Sequence, residues 1–581
     1  MSHCIIESLP EMKLARSRVE KAKLIREAIV VPTKVAAFAK GRKYLIKTFG
    51  CQANVRDEEV LSGYLEKAGF TKTENEVEAN LVIINTCAVR ENAEDKVYGE
   101  IGKFKANHQR DKNFILCVSG CMMQEEKLAE KLMTSYPYVN IIFGTHNVPE
   151  ILNLIDEHLS KKKDLVKVLS FPGDIVENLP SIRLDPYKAF VNISYGCDKF
   201  CTYCIVPYTR GRERSRPLAD ILKECQDLID EGYQEITLLG QNVNSYGKDF
   251  NDGTSFATVL EAVAKLGIPR LRFMTSHPWD FKDEMLDVIA KYPNIMKCIH
   301  LPVQSGNDEI LKAMGRRYTR DQYLDLVRRI REKIPGVALT TDIIVGFPNE
   351  TLAQFEDTLS LCEQVQYDAA FTFIYSPRKG TPAAAIKDNV SDADKHERFD
   401  RLLKVIEAGV MAHSKTMLGQ TYSVLVDGPS KKDETMLSGY TEKNKLINFR
   451  GPAYLKGSIV PVKIIEDHAF SMIGELVEDP LMSKAKVLAA AMKEEPLLKE
   501  FLSTSAALEK DPSILALREE IKVAERQMVS LAKAYPDEYV GAKKKYDDLM
   551  ARYFAHPLVK NYQALHDDVA TLLSNISGAL Q

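Results

Sequence analysis

Three thiols stand close together in Cys197-Asp198-Lys199-Phe200-Cys201-Thr202-Tyr203-Cys204, a C-x3-C-x2-C spacing directly after a strand-like apolar run. Three thiolates can hold three irons of a [4Fe–4S] cluster and leave the fourth iron without a protein ligand. An iron left open can chelate the amino and carboxylate groups of S-adenosylmethionine. An electron delivered through the cluster then cleaves the sulfonium and releases a 5′-deoxyadenosyl radical. The competing reading is a zinc knuckle. Structural zinc takes four closed ligands, usually in two pairs, and only three are offered here.

Cys4, Cys51, Cys87, Cys117, Cys121, Cys225, Cys298 and Cys362 complete the eleven cysteines of the 581-residue chain, and none follows Cys362. The number is odd and the chain is long. Metal or redox chemistry is therefore expected rather than a disulfide framework, and in the first two thirds of the chain. Cys117, in mid-strand, and Cys225, Cys298 and Cys362 read as small buried apolar residues.

The composition is 45% hydrophobic and 27% charged, ordinary for a globular protein. A formal charge of −3 excludes a uniformly basic nucleic-acid coat but not a local basic face. No apolar run reaches the roughly 18 residues of a membrane helix. The start, Met1-Ser2-His3-Cys4, lacks the basic and apolar regions of a signal peptide. A cytoplasmic protein with no membrane partner is the expectation.

The elements that must position these thiols are short strands and helices in alternation. Residues 1–42 form a basic extension, helical over 11–43 by the spacing of Ala15, Val19, Ala22, Ile25 and Ile29. Over 43–150, strands are predicted at Tyr44–Lys47, Leu81–Asn85, Phe114–Ser119 and Asn140–Phe143, with helices at Arg56–Ala68 and Glu125–Met133. That alternation implies a parallel α/β sheet, and Cys51, Cys87 and Cys121 sit just past strand ends, where ligands collect. Residues 151–182 read as a polar connector. From 183 to 414 six strands return, at Phe190–Ser194, Glu235–Leu239, Leu271–Thr275, Cys298–Leu301, Ala338–Val345 and Ala370–Tyr375. Helices such as Leu218–Glu231 and Arg320–Lys333 separate them, as in a partial (β/α) barrel with its site at the strand C-termini. Residues 415–478 read as a small all-β barrel, with strands Thr421–Asp427, Leu446–Phe449 and Ile459–Glu466. Residues 479–581 are a helical extension with Leu515–Ala532, Pro536–Phe554 and Pro557–Leu573 amphipathic.

The segment from Tyr195 to Pro217, with its thiols and its run Tyr208-Thr209-Arg210-Gly211-Arg212-Glu213-Arg214-Ser215-Arg216, resembles the radical SAM methylthiotransferases. So do Gly50-Cys51-Gln52, Asn85-Thr86-Cys87 and Gly120-Cys121-Met122-Met123. The resemblance spans roughly residues 43–478. It implies that Cys51, Cys87 and Cys121 ligate a second, auxiliary [4Fe–4S] cluster, and that residues 415–478 are a TRAM-type RNA-binding barrel. Ala53 departs from the family, which usually has Met there, but the position is not a ligand. Branches of the family act on isopentenyladenosine in tRNA, on threonylcarbamoyladenosine in tRNA, or on an aspartate of a ribosomal protein. Thr275-Ser276-His277-Pro278, the segment His300 to Gly306, Asp342 to Pro348, and Tyr375 to Pro382 resemble the first branch. Methylthiolation of C2 of N6-isopentenyladenosine at tRNA position 37 is the activity implied. Two molecules of S-adenosylmethionine are used, one to methylate a sulfur and one to give the radical. An electron donor and a sulfur donor are implied partners. The alternative from a different class is a non-catalytic, zinc-holding RNA scaffold.

Roles follow from the resemblance for further residues. Tyr203 would pack on the adenine of S-adenosylmethionine. Gly240, Gln241 and Asn242 at one strand end, and Gln304 and Ser305 at another, would approach and hydrogen-bond the cofactor. Arg210, Arg212, Arg214 and Arg216 alternate, so that on an extended segment they would present guanidinium groups to phosphates on one side. In the small barrel Lys443, Lys445 and Arg450, with Lys431, Lys432 and Lys456, would face RNA, with Tyr440 and Phe449 available for stacking or core packing. The tail after 478 is an addition to the family pattern. It resembles the YlbF/YmcA-like helical proteins and is expected either to capture a protein partner or to serve as a packing appendage.

Overall fold

The computed structural model describes residues 3–6, 12–17, 23–26, 29–87, 92–161, 163–168, 175–468, 471–477, 480–532 and 536–580. Two compact units divide the chain, Met1–Val477 and Glu478–Gln581. The first opens with a seven-stranded sheet in the order His3–Ile6, Leu165–Val168, Ile141–Phe143, Ile115–Gly120, Leu81–Thr86, Lys43–Thr48, Thr71–Lys72. Every neighbouring pair is parallel. Leu81–Thr86 and Ile115–Gly120 are buried along their whole length, as central strands covered on both faces must be. One face carries Val60, Leu61, Leu65, Ile151 and Ile155, the other Val97, Ile101, Phe104 and Leu132.

Residues 151–182 are therefore not a plain connector. Ile151–Lys161 is a helix whose Ile151, Leu152, Leu154 and Ile155 cover the sheet, and Leu165–Val168 is one of its strands. The apolar residues of that helix outweigh the polar composition of the segment. The helix expected over 11–43 is also divided. Met12–Ser17 and Thr33–Ala39 are helical and Leu24–Ile25 is a short strand, while Val19 and Ala22 lie outside the described residues.

The barrel region holds two three-stranded parallel sheets, Lys188–Asn192, Glu235–Leu239, Arg270–Phe273 and Cys298–His300, Ala338–Val345, Ala369–Ile374. An isolated parallel bridge pairs Leu271 of the first sheet with Ile295, three residues before the second sheet begins. Alternate residues (Val191, Ile236, Leu238, Ile299, Ile343) pack outward on the helices in one large core. The other set faces away from those helices. The helix Asp392–Met417 leads into a closed five-stranded barrel, in the order Thr421–Pro429, Leu437–Thr441, Leu446–Arg450, Met472–Leu476, Ile459–Asp467. It docks at the start of the parallel strands. Arg270 donates to the carbonyls of Tyr440 and Thr441 at 2.8 and 2.7 Å, and Lys445 Nζ to that of Asp368 at 2.9 Å.

Among its described residues the second unit has five helices, Pro480–Glu494, Pro496–Lys510, Pro512–Leu531, Pro536–Ala555 and Pro557–Leu580, where the spacing predicts three. Each begins with proline, whose missing N–H costs nothing in a first turn. Small clusters of Leu508, Ile514 and Val559, and of Leu517, Ala524 and Leu549, hold it together.

Candidate functional site

Cys51, Cys87 and Cys121 stand just past the C-terminal ends of three adjacent strands, Lys43–Thr48, Leu81–Thr86 and Ile115–Gly120. Cys51 is also the N-cap of the helix Gln52–Ala68, so it meets the positive end of that helix. Asn54 ties the helix start to the middle strand, donating to the carbonyl of Thr86 at 2.8 Å and to Asn85 Oδ1 at 3.1 Å. Gly120 permits the approach of Cys121. It has φ 106°, and a Cβ there would lie 2.1 Å from the Thr86 carbonyl oxygen.

A hydrogen bond with Cys87 brings the Cys51 thiol down to about 5 against the effect of burial, and Arg210 adds to the lowering. Burial pushes Cys121 up, with Arg210 opposing. Arg210 Nε donates to Cys121 Sγ at 3.3 Å, and its far nitrogen pairs with Asp57 at 2.9 Å.

The second triplet lies on the loop after the first barrel strand. Gly196, with φ 77°, lets this loop press on the segment returning at residue 212; a Cβ would lie 2.1 Å from the Arg212 carbonyl oxygen. Thr202 fixes the loop from above, donating to the carbonyls of Met314 and Ala313 at 2.9 and 2.8 Å. Burial pushes Cys197 up, and Cys204 up to about 12. Arg316 reaches Cys201 Sγ at 3.6 Å and is itself held by Tyr318 and the Pro302 carbonyl. The two cysteine-bearing segments touch: Cys121 packs in one cluster with Phe200, Ile205 and Tyr208 of the second loop.

Among the described residues no three His, Cys, Asp or Glu side chains form a single-ion site. The donor chemistry fits iron–sulfur clusters. Each triplet offers three thiols, with Cys87, Cys121 and Cys201 buried and Cys51, Cys197 and Cys204 half-buried, and one guanidinium lies beside one sulfur of each. Structural zinc, with four protein ligands, matches neither set.

The residues assigned to S-adenosylmethionine divide. Tyr203 packs with Ile310, Met314, Phe347 and Tyr375. A Cβ on Gly240 would lie 2.6 Å from Ser194 Oγ. Gln241 accepts from the Gly196 N–H and so holds the cysteine loop. Asn242 is buried and donates to Asp280 at 2.6 Å and Ser245 at 2.7 Å. Gln304, at φ 72°, bridges to the strand Ala338–Val345. Ser305 departs from its expected role. It is fully buried and turned to Thr358 at 3.3 Å, so it supports a helix rather than a cofactor.

The arginine run also departs from expectation. Arg210 is committed to Cys121 and Asp57. Arg214 is buried against the Tyr195 ring at 6.0 Å. Arg216 is buried, bonded to Glu177 at 2.7 and 2.5 Å and to Glu224 at 2.7 Å. Only Arg212 keeps substantial exposure, and it clamps Asp198 of the cysteine loop at 2.6 and 2.8 Å. Period-two spacing signals an extended segment, but carboxylates of the protein itself hold Arg210, Arg212 and Arg216. In the small barrel Lys445 is also turned inward, to Asp368, and burial lowers its pKa. Lys443 lies over the Tyr422 ring at 5.5 Å, Arg450 is exposed, and Phe449 belongs to the core.

Several contributors to this architecture are invisible as motifs. Glu224 is ringed by Arg216, Arg183 and Arg56, at 2.7, 2.6 and 3.0 Å. Burial works to raise its pKa, but the three guanidiniums outweigh it and hold the carboxyl at about 2. Arg56 and Arg183 also share Glu59, at 3.2 and 2.8 Å, which ties the seven-stranded domain to the barrel. Removing one member strands buried charge. Arg216→Met is expected to lower the unfolding free energy by about 3–5 kcal/mol. Arg212→Met should cost less than about 1 kcal/mol. Urea midpoints of the two variants check this. Arg316 and Asp280, which reach Cys201 and Lys199 of the second loop, are likewise seen only in three dimensions, since they come from distant loops.

A radical SAM iron–sulfur enzyme is what these two triplets, the partial barrel and the small β-barrel define. Residues 191–362 match the Radical SAM superfamily, 43–144 the family described as Uncharacterized protein family UPF0004, and 415–477 the TRAM domain. Residues 481–581 match Control of competence regulator ComK, YlbF/YmcA. The chain is 52% identical over 470 residues to the tRNA-2-methylthio-N(6)-dimethylallyladenosine synthase of Staphylococcus haemolyticus, covering 81% of this chain and 91% of that one. It is 50% identical over 476 residues to the synthase of that name from Anoxybacillus flavithermus, covering 82% and 90%. The chain belongs to the tRNA-2-methylthio-N(6)-dimethylallyladenosine synthase family. Its cofactors are S-adenosylmethionine and [4Fe–4S] clusters.

Proposed function

We propose that this chain transfers a methylthio group to C2 of N6-dimethylallyladenosine at tRNA position 37. The reading is supported by both thiol triplets occurring in a chain about 50% identical to named synthases over most of its length, with Cys121 packed against residues of the second loop. Cys197, Cys201 and Cys204 would hold the cluster that cleaves S-adenosylmethionine, and Cys51, Cys87 and Cys121 the one that carries sulfur; bound there, these groups supply the radical and the methylthio donor. The chain's own residues fix the geometry. Arg210 and Arg316 steady one sulfur of each triplet, Gln241 and Thr202 hold the loop, and Tyr203 offers an apolar surface to the adenine of the cofactor. C2–H of an adenine is unactivated, so a radical is required rather than an acid or base.

Nucleoside mass spectrometry tests the assignment, on tRNA from cells lacking their own methylthiotransferases and expressing this chain. 2-Methylthio-N6-dimethylallyladenosine is the expected product. The threonylcarbamoyl counterpart would overturn the substrate, and no methylthio nucleoside with both clusters loaded would overturn the tRNA reading.

The working partners are a tRNA, an electron donor and a sulfur donor, and the working compartment is the cytoplasm. Among the described residues no helix is long and apolar enough to cross a membrane. Glu478–Gln581 form their own unit, and we assign residues 481–581 within it to protein capture. Deleting them is expected to leave cleavage of S-adenosylmethionine within about twofold while changing the oligomeric state or partners retained. Size-exclusion chromatography and 5′-deoxyadenosine release read the two effects.

A further inference from the structure

Parallel sheets are ordinarily covered on both faces. The last barrel strand, Ala369–Ile374, is not. Its residues alternate between exposed and half-buried, with Phe371 54% and Phe373 43% exposed. Ala370 and Ile374 pack on the helix-side core, so Phe371 and Phe373 point the other way, toward the barrel interior. Two large aromatics left in water on a strand cost free energy unless something covers them in use.

Their neighbours say what that is. In the register of the sheet Phe373 pairs with Ile344 and Phe371 with Asp342. Ile344 packs in the same apolar cluster as Tyr203, the residue inside the cysteine loop. The phenylalanine face is thus continuous with the loop that holds the second triplet. At its other end the Phe371 ring meets the His300 ring at 6.0 Å, and His300 Nε2 lies 3.5 Å from Asp342 Oδ1. The surface is apolar toward the loop and carries one carboxylate beyond it.

We propose that Phe371 and Phe373, with Ile344, form the seat for the five-carbon dimethylallyl group on N6 of the substrate adenine, and so determine specificity. The proposal rests on the function proposed above. A branched hydrocarbon chain gains from leaving water onto this face. A threonylcarbamoyl group would bring its own carboxylate beside Asp342, where like charges repel. An unmodified adenine would leave the two rings wet.

The test uses the full chain with both clusters loaded and two anticodon stem-loop RNAs, identical except for N6-dimethylallyladenosine or adenosine at position 37. Binding is followed by anaerobic fluorescence anisotropy. Covering a group of this size predicts a preference for the modified RNA of roughly tenfold or more in the wild-type chain. In Phe371→Ala/Phe373→Ala the preference should fall to near one, because affinity for the modified RNA drops. Phe371→Leu/Phe373→Leu, which keeps apolar bulk and guards against a folding defect, should retain most of it. An undiminished preference in the alanine variant would overturn the seat. Equal loss for both RNAs would also overturn it, since the rings would then serve RNA in general. Nucleoside analysis separates the two levels. If the wild-type chain makes the 2-methylthio product while either of those results holds, the seat is wrong and the function stands. If it makes no product and shows no preference, both fail.

Discussion

Cys201→Ala is expected to abolish reductive cleavage of S-adenosylmethionine, a fall of at least about a thousandfold toward the uncatalysed rate. Cys201 is buried in the centre of the C-x3-C-x2-C loop and is the sulfur that Arg316 reaches. Alanine leaves two thiols, which cannot hold three irons, and leaves the Arg316 guanidinium facing no sulfur. The readout is 5′-deoxyadenosine formed under dithionite, with iron and acid-labile sulfide measured on the same sample. Iron should fall toward that of one cluster, because the sheet-edge triplet is untouched. Retained cleavage in this variant would remove the loop from the chemistry.

Cys87→Ala separates the two halves of the reaction. Cys87 is 1% exposed at the end of a central strand, and its bond to Cys51 is what brings the Cys51 thiol down to about 5. Without it the sheet-edge triplet loses a ligand and the thiol that holds its neighbour ready for metal. Cleavage of S-adenosylmethionine should persist within about a few fold, since the second loop is intact, while methylthio product falls at least about a hundredfold. Full product from this variant would show that the sheet-edge thiols carry no sulfur.

Both triplets could be read in sequence for different reasons. The loop triplet is a local spacing, and a local spacing survives without any fold. The sheet-edge triplet was legible only as three separate strand ends, and its convergence depended on those strands being neighbours. Strand positions were readable because buried parallel strands are short and mostly apolar. Glu235–Leu239 and Ala338–Val345 fall at the bounds their sequences predict. Short strands at or next to the sheet edge were not. His3–Ile6 has four residues and Leu165–Val168 carries a lysine, and neither has a pattern without the sheet that completes it. The arginine run misled because charge alone does not say which counter-charge answers it. Glu177, Glu224 and Asp57 lie far from it in the chain or give no signal of burial. The aromatic face of Ala369–Ile374 was equally silent, since Phe371 and Phe373 look like any strand residues until the opposite side is seen to be packed.

The arrangement of Cys51, Cys87 and Cys121 on three adjacent strands also bears on how the protein matures. A nascent chain can hold iron at the C-x3-C-x2-C loop as soon as eight residues are free, but it has nothing to offer at the sheet edge until three βα units have closed on one another. On the proposed assignment loading there would follow folding, at a mouth where Cys51 is half-buried. Stepwise reconstitution of the folded apoprotein should therefore fill the two positions at different rates. A chain partly unfolded in its first domain would come out of the cell half-loaded, able to make radicals and unable to spend them on sulfur.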